Sequence, residues 1–341
     1  MLAGLEAIPL KVTHPMEMEY TQLGRSGLNV SVAGFGCGGN SRLGLGYGKS
    51  EAECVAIARQ AIDLGVNFFD TAAAYGSEGI VGRAIKGMPR DQFVISTKAQ
   101  IVRDGERLTP ESIVESLEAS LKRLQTDYVD VFHLHGVRPG DYDYALESVA
   151  PALTRQKAVG KIRTLGITET ASRDVSHATL HRAVHDEVWE VVMLAFHMLN
   201  QNARPEIFPA TQAAGIGTLL MFVVRNIFSR PGYLTEAVQS LIDDATLSSA
   251  EVDAANPLGF LVHDAGAKSL VDAAYRFARH EPGADVVLFG TGNKDHVAPN
   301  VASILSPPLP LEDVERLYRL FGHLEGIGLD APDHLTERSK T

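Results

Sequence analysis

Short β-branched or aromatic runs alternate with amphipathic helical stretches over most of the chain, and this alternation constrains the fold more than any other feature of the sequence. After a β-prone opening over residues 20–30, strand-like runs fall at 32–37, 66–69, 92–97, 128–134, 161–167, 190–195, 217–221 and 285–289. Helical patterns lie between or after them at 51–64, 80–86, 144–158, 172–185, 204–214, 267–280 and 294–305. A further long helix opens at Thr109-Pro110-Glu111-Ser112, with proline in the first turn, where its missing N–H is no loss. Strand and helix in alternation mean parallel strands joined by crossovers. Eight such units in 341 residues fit a closed barrel better than an open doubly wound sheet. The sequence therefore predicts an α/β protein, a single (β/α)8 TIM barrel over residues 18–330 with long loops at its C-terminal face. A flexible extension over 1–17 precedes it and a tail over 331–341 follows. The connection over 222–266 carries Pro231, Gly232 and an acidic, Ser-rich stretch, and it falls where a barrel places its lids and substrate loops.

Composition removes several classes of function. A formal net charge of −11 leaves nothing broadly basic to neutralise a nucleic-acid backbone, so a phosphate-bearing ligand needs a local site. The two cysteines, Cys37 and Cys54, are too few for a disulfide framework or a cysteine-rich metal site. Residues 1–17 contain Pro9 and Pro15 and lack a basic end followed by a long apolar run, so they do not read as a signal peptide. No apolar stretch is long enough to span a bilayer. The expectation is a cytoplasmic protein acting on a small molecule, with no nucleic-acid or membrane partner and no metal.

Gly34-Phe35-Gly36-Cys37-Gly38-Gly39 satisfies the spacing G-x-G-x-x-G behind a strand. A dinucleotide fingerprint would also need a helix to begin at once and an acidic residue closing the next strand. Here the chain stays loop-like through Gly44, Gly46 and Gly48, and the next strand ends at Asp70, roughly twice as far along as that fingerprint allows. The segment reads instead as a glycine-rich first loop that lets a ligand approach the backbone closely, with Gly38 a candidate contact.

Polar residues at the carboxyl ends of parallel barrel strands converge on one mouth. Read in order, those ends give Asp70 and Tyr75 after the second strand, Lys98 after the third and His135 after the fourth. The types make chemical sense together. A tyrosine that must protonate an alkoxide starts from a pKa of about 10, and a neighbouring ammonium would stabilise its phenolate. The ammonium of Lys98 needs a carboxylate to stay charged in a dry pocket, and Asp70 can supply it. A neutral imidazole can polarise a carbonyl by hydrogen bonding, a contribution typically worth roughly 10²–10⁴ in rate. His133 shares the strand parity of His135 and is expected one layer lower, in a structural role. Each residue alone has an ordinary explanation: an ion pair closing the barrel, a loop aromatic, a loop histidine.

The ordered set resembles the catalytic tetrad Asp, Tyr, Lys and His of the aldo-keto reductase family. The resemblance extends from about residue 20 to residue 311 and includes Leu23-Gly24-Arg25-Ser26-Gly27, Gly160-Lys161-Ile162-Arg163-Thr164-Leu165-Gly166-Ile167 and Gly290-Thr291-Gly292-Asn293. It implies hydride transfer between a nicotinamide cofactor and an aldehyde, ketone, alcohol or sugar. Tyr75 would be the general acid/base, tuned by Lys98 and Asp70, with His135 orienting the carbonyl. It further implies that Gly290, Thr291, Gly292 and Asn293, with Lys294, His296 and Asn300, hold the adenosine phosphate, which favours NADP(H) over NAD(H). A turn of small residues leading into a helix N-terminus suits a phosphate on physical grounds as well.

Several positions depart from that family's pattern. His296 stands where an arginine is common, and Pro299 where an acidic residue is. At the nicotinamide end the usual Ser-Asn reads Thr168-Glu169, with Glu169 expected to accept from the carboxamide NH2. The usual glutamine reads Met193, which cannot make the same hydrogen bonds. Met221, followed by Phe222, takes the place of an aromatic that stacks on the nicotinamide, and Arg225 is within reach of a phosphate. The departures resemble a divergent subgroup similar to bacterial aldose dehydrogenases. Two alternatives stand beside this reading: a nicotinamide-binding regulatory subunit without turnover, and a barrel aldolase with Lys98 as the Schiff-base nucleophile.

Overall fold

The protein is described here by a computed structural model of residues 17–329. The extension expected over 1–17 and the tail over 331–341 therefore lie, Glu17 excepted, outside the described residues. The chain opens with an antiparallel hairpin, Tyr20–Gln22 against Asn29–Ser31. Leu23, Leu28 and Val30 of this hairpin pack on Phe68, Val94, Val131, Val191, Leu219 and Val286, the lowest inward-facing layer of a barrel, and so plug its amino-terminal end. The turn fits because Gly24 has no side chain: a Cβ there would lie 2.3 Å from the Gly217 nitrogen.

Eight strands form the barrel: β1 (Ala33–Gly36), β2 (Phe68–Asp70), β3 (Val94–Gln100), β4 (Val129–Val137), β5 (Ile162–Glu169), β6 (Val191–Ala195), β7 (Gly217–Met221) and β8 (Val286–Phe289). They pair in sequence order, all parallel, and β8 closes the ring against β1. Alternation along each strand sends one set of side chains inward and the other out to the helices. Phe68 and Asp70 thus face the interior, while Phe69 joins Phe35, Ile95, Phe132, Leu165, Leu194 and Phe289 in the large core beneath the helices. Local sequence starts those helices where it should. Ser50 and Glu53 form a reciprocal capping box on α1 (Glu51–Asp63), and α2 (Glu78–Ile85) follows the second strand. Thr109 caps α3 (Pro110–Leu124), which has proline at its first position.

The single-domain barrel agrees with the sequence reading, and the differences are local. β3 and β4 run on to Gln100 and Val137, so Lys98 and His135 sit inside strands that extend past them. The fourth helical stretch contains a wide turn over Ala145–Val149 before α4 (Ala150–Ala158), which carries Pro151 in its first turn. α5 (Ala178–Ala183) and α6 (Ile207–Ala214) are shorter than their sequence patterns. The connection after β7, read as a loop, contains α7 (Tyr233–Asp243), whose Leu234, Val238 and Leu241 form its buried face. α8 (Leu270–Arg279), α9 (Val297–Ile304) and α10 (Leu311–Phe321) complete the chain, the last of them unread in the sequence.

Candidate active site

Asp70, Lys98 and His135 lie on the interior faces of three neighbouring strands, and Tyr75 ends the single 3-10 turn Ala73–Tyr75 that follows β2. Lys98 Nζ donates to both oxygens of Asp70, at 2.7 and 2.6 Å, and to the Thr71 carbonyl at 2.8 Å. Its three protons are therefore all engaged. Ser96 donates to Asp70 Oδ1 at 2.8 Å, which fixes the carboxylate further. The same ammonium stands 5.2 Å from the centre of the Tyr75 ring, within cation–π range. Tyr75 Oη meets His135 Nε2 at 3.3 Å, with the two rings edge to face. The loop after β1 passes flat against this tyrosine, and a Cβ on Gly38 would fall 2.5 Å from its ring.

Burial dominates the electrostatics. It pushes the Tyr75 hydroxyl above its ordinary pKa, Lys98 pulling back only in part, so the phenol is protonated at neutral pH. Burial also works against the Lys98 charge, but Asp70, with Tyr75 adding to it, raises that pKa overall and keeps the ammonium charged. Burial, then the charge of Lys98, drives His135 down to about 3, so its imidazole is neutral and carries one ring proton. His133 is fully buried in the layer of Lys98, with which it pairs in register. Burial, Lys98 and His135 together hold it well below its usual pKa. Its ring lies against Gly166, where a Cβ would come within 2.3 Å of Nδ1, and among the described residues neither of its nitrogens has a hydrogen-bond partner.

A cavity of about 610 Å³ opens above the Asp70 and Tyr75 side of this cluster. The structure brings most of the expected cofactor residues to its wall: Gly38, Met193, Met221, Phe222, Arg225, Gly290, Thr291, Gly292, Asn293, His296 and Asn300. Phe222 adopts a left-handed backbone, φ +67°, and its ring stacks 4.2 Å from the Arg225 guanidinium. Gly290 lets β8 approach β1, since a Cβ there would stand 2.9 Å from the Gly36 carbonyl oxygen.

Three expected contacts are not on that wall. Lys294 is exposed in the 3-10 turn Lys294–His296 and does not line the cavity. Thr168 is buried, and its hydroxyl accepts from the Gly136 N–H at 2.8 Å. Glu169 corrects the sequence reading most clearly. Its carboxylate was expected to be open to a carboxamide, but one oxygen meets His177 Nδ1 at 2.6 Å and the other accepts from the Ala195 N–H at 2.8 Å. In the glycine-rich segment a 3-10 stretch over Arg42–Tyr47 comes first, no α-helix begins until Glu51, and Gly36, Gly38 and Gly39 line the cavity directly. The cavity also recruits Asn40, Tyr47, Asn226 and Tyr275, which sequence reasoning did not single out. Asn40 and Tyr47 sit in the glycine-rich loop, whose mouth position was the available signal. Tyr275 lies within a helical core pattern that gives none.

Among the described residues, no group of His, Cys, Asp and Glu could hold a metal ion, and no helix is long and apolar enough to cross a membrane. The chain is similar to L-galactose dehydrogenase of Arabidopsis thaliana, 34% identical over 60% of this chain and 64% of that one, so the match spans just under two thirds of the relative's length. It is 29% identical to the aldo-keto reductase YhdN of Bacillus subtilis, over 80% of this chain and 85% of that one. It is 30% identical to D-threo-aldose 1-dehydrogenase of a Pseudomonas species, over 58% of this chain and 67% of that one. Among solved structures, the aldo-keto reductase AKR11C1 of Bacillus halodurans in its holo form superposes with a TM-score of 0.70 over 92% of this chain and all of its own, at 24% identity. The model of the aldo/keto reductase family matches residues 35–320, and the chain belongs to that family of nicotinamide-dependent oxidoreductases.

Proposed function

We propose that the protein interconverts a carbonyl and an alcohol with a nicotinamide dinucleotide, and that its substrate is an aldose or a similar polyhydroxylated carbonyl. The observation that carries this reading is the meeting of the Tyr75 hydroxyl and His135 Nε2 at 3.3 Å, beside a fully paired Lys98, at a cavity large enough for a cofactor and a small substrate. The names of the Arabidopsis and Pseudomonas relatives support the sugar class.

In the reductive direction the carbonyl oxygen sits between Tyr75 and His135. His135, neutral and protonated on Nε2, donates to that oxygen and polarises the carbon. The bound nicotinamide supplies or accepts the hydride. Tyr75 gives its proton to the developing alkoxide, and the phenolate left behind is stabilised by the ammonium of Lys98, which Asp70 keeps charged and in place. In the oxidative direction the same phenolate takes the proton of the substrate hydroxyl.

The residues present fit such a cofactor. Gly36, Gly38, Gly290 and Gly292 leave the groove free of side chains where strands and loops crowd together. Met193, Met221 and Phe222 offer soft, apolar surface to a nicotinamide ring. Thr291, Asn293 and His296 stand before α9 and Asn300 in its first turn, where backbone N–H groups and the helix dipole favour an anion. Arg225 and His296 on the wall favour NADP(H) over NAD(H). The fully donated Lys98 amine disfavours Schiff-base chemistry, because a nucleophile needs a free lone pair.

Fluorescence titration with NADPH and with NADH tests the class, and a panel of aldoses and simple aldehydes then tests the substrate. Binding of either dinucleotide with turnover of an aldose is the expected result. Failure to bind both would overturn the proposal, and binding without turnover of any carbonyl would replace it with a regulatory role.

A further inference from the structure

We propose that Tyr275 is a cofactor-positioning residue whose hydroxyl donates a hydrogen bond to a phosphate oxygen on the adenosine half of the nucleotide; this rests on the dinucleotide reading above. α8 is buried along most of its length, with Asp272, Ala273, Ala274, Arg276, Phe277 and Ala278 all inside the protein. Val271 and Tyr275, one helical turn apart, line the cavity. Tyr275 is only 3% exposed, yet its hydroxyl meets no hydrogen-bond partner among the described residues.

That isolation is out of keeping with the other enclosed tyrosines. Tyr142 donates to Asp186 and accepts from Trp189, Tyr144 donates to the Leu108 carbonyl, and Tyr318 donates to Glu281. Buried hydroxyls are normally satisfied, and a phenylalanine would fill the same space at no polar cost. The partner for Tyr275 must therefore come from the cavity.

Its neighbours say what kind of partner fits. α8 packs on α9, on β8 and on the short helix Asn226–Ser229, so Tyr275 reaches the cavity from its β7–β8 side, the side that also carries Arg225, Gly290, Thr291 and Gly292. Burial holds the phenol proton more tightly than usual, so the group is a donor across the working pH range. A donor on a cavity that the α9 N-terminus also lines, with Arg225 on the same wall, matches an anionic oxygen.

Tyr275→Phe keeps the ring and removes only the O–H. The expected result is a rise of about tenfold in Kd for whichever dinucleotide the wild-type protein binds, the scale of one charge-assisted hydrogen bond. ADP should lose affinity by a similar factor, while adenosine binds both proteins equally. The thermal midpoint without nucleotide should not move. Equal affinity of wild type and variant for the dinucleotide would overturn the assignment. So would an equal loss toward adenosine, which would place the hydroxyl's role at the base or sugar, or in holding the helix. A wild-type protein that binds neither dinucleotide fails at the earlier reading, and that failure is visible before any variant is compared.

Discussion

His177 Nδ1 stands 2.6 Å from Glu169 Oε2 in a pair buried on both sides, and Asn202 Oδ1 meets the far nitrogen of the same imidazole at 3.0 Å. The pair ties the carboxyl end of β5 to the loop before α5, and the second Glu169 oxygen ties it to β6. A residue held in this way fixes β5, β6 and the loop before α5 relative to one another. Burial works against a charge on His177, but Glu169, followed by Asn202 and Asp174, raises its pKa overall. A raised histidine pKa contributes stability that is complete below about pH 6.5 and is lost as pH climbs through the folded value. Glu169→Gln should therefore cost about 3 kcal/mol near pH 6, the scale of breaking a buried pair, and less near pH 9. Urea unfolding of both proteins at the two pH values measures this, and a cost that grows with pH would contradict the charged pair.

Tyr75→Phe should lower turnover by about 10² or more while leaving dinucleotide affinity nearly unchanged. Because burial holds the Tyr75 proton, alcohol oxidation by the wild-type protein should still be accelerating as pH approaches about 10, whereas carbonyl reduction, which uses the phenol already protonated, should be flat with pH until it falls in that same range. Steady-state rates in both directions across pH test this, and a Phe variant of full activity would remove Tyr75 from the chemistry.

Asp70→Asn leaves Lys98 buried with its main counter-charge gone. The expected cost is about 3–5 kcal/mol, read from denaturant midpoints, together with a loss of activity. Borohydride treatment of the wild-type protein with a reactive aldehyde should leave Lys98 unmodified by mass spectrometry. A trapped adduct at that residue would show its amine to be free after all.

His133 and His197 are fully buried, and burial lowers both, aided by Lys98 at the first and by Arg225 at the second. The fold keeps them neutral, His197 to about pH 3, while the unfolded chain takes up their protons below about 6.5. The unfolded state then binds more protons than the native one, so stability falls with falling pH, by about 1.4 kcal/mol per unit for each proton. His197→Phe should flatten the acid limb of a plot of unfolding free energy against pH between about 6 and 4. An unchanged slope would mean that His197 is protonated in the native state.

Lys294→Ala should have little effect on the ratio of NADPH to NADH affinity, since Lys294 lies outside the cavity wall, whereas Arg225→Ala should reduce NADPH binding more than NADH binding by about tenfold. Paired titrations decide between them. A selective NADPH loss in the Lys294 variant would return the 2′-phosphate contact to the 3-10 turn.

Much of this is legible in the sequence because the barrel rule and the strand-end residues reinforce each other. Asp70, Lys98 and His135 each end or nearly end an apolar run, and period-two alternation turns all three inward. The partners of Glu169 were not legible. His177 reaches it from beyond a turn and from a left-handed backbone position of its own, φ +57°, and the Ala195 N–H comes from the next strand. Neither relationship leaves a pattern in the residues. Tyr275 was hidden differently, since an aromatic flanked by Ala273, Ala274 and Phe277 reads as core packing at helical spacing. α7 was missed because acidic and serine residues outside its buried stripe gave its connection the composition of a loop.

The closed strand order has a consequence for how such a protein can change. The tetrad occupies one arc of the rim, β2 to β4, whereas most of the cavity wall is drawn from β6, β7, β8 and β1 on the opposite arc. On the proposed reading, reaction chemistry and ligand grip thus sit on separate arcs of a single ring. A change on the wall arc, at Met193 for instance, leaves the Lys98–Asp70 pair and the Tyr75–His135 contact untouched. On that reading the grip on a ligand can change without the proton-transfer residues being rebuilt.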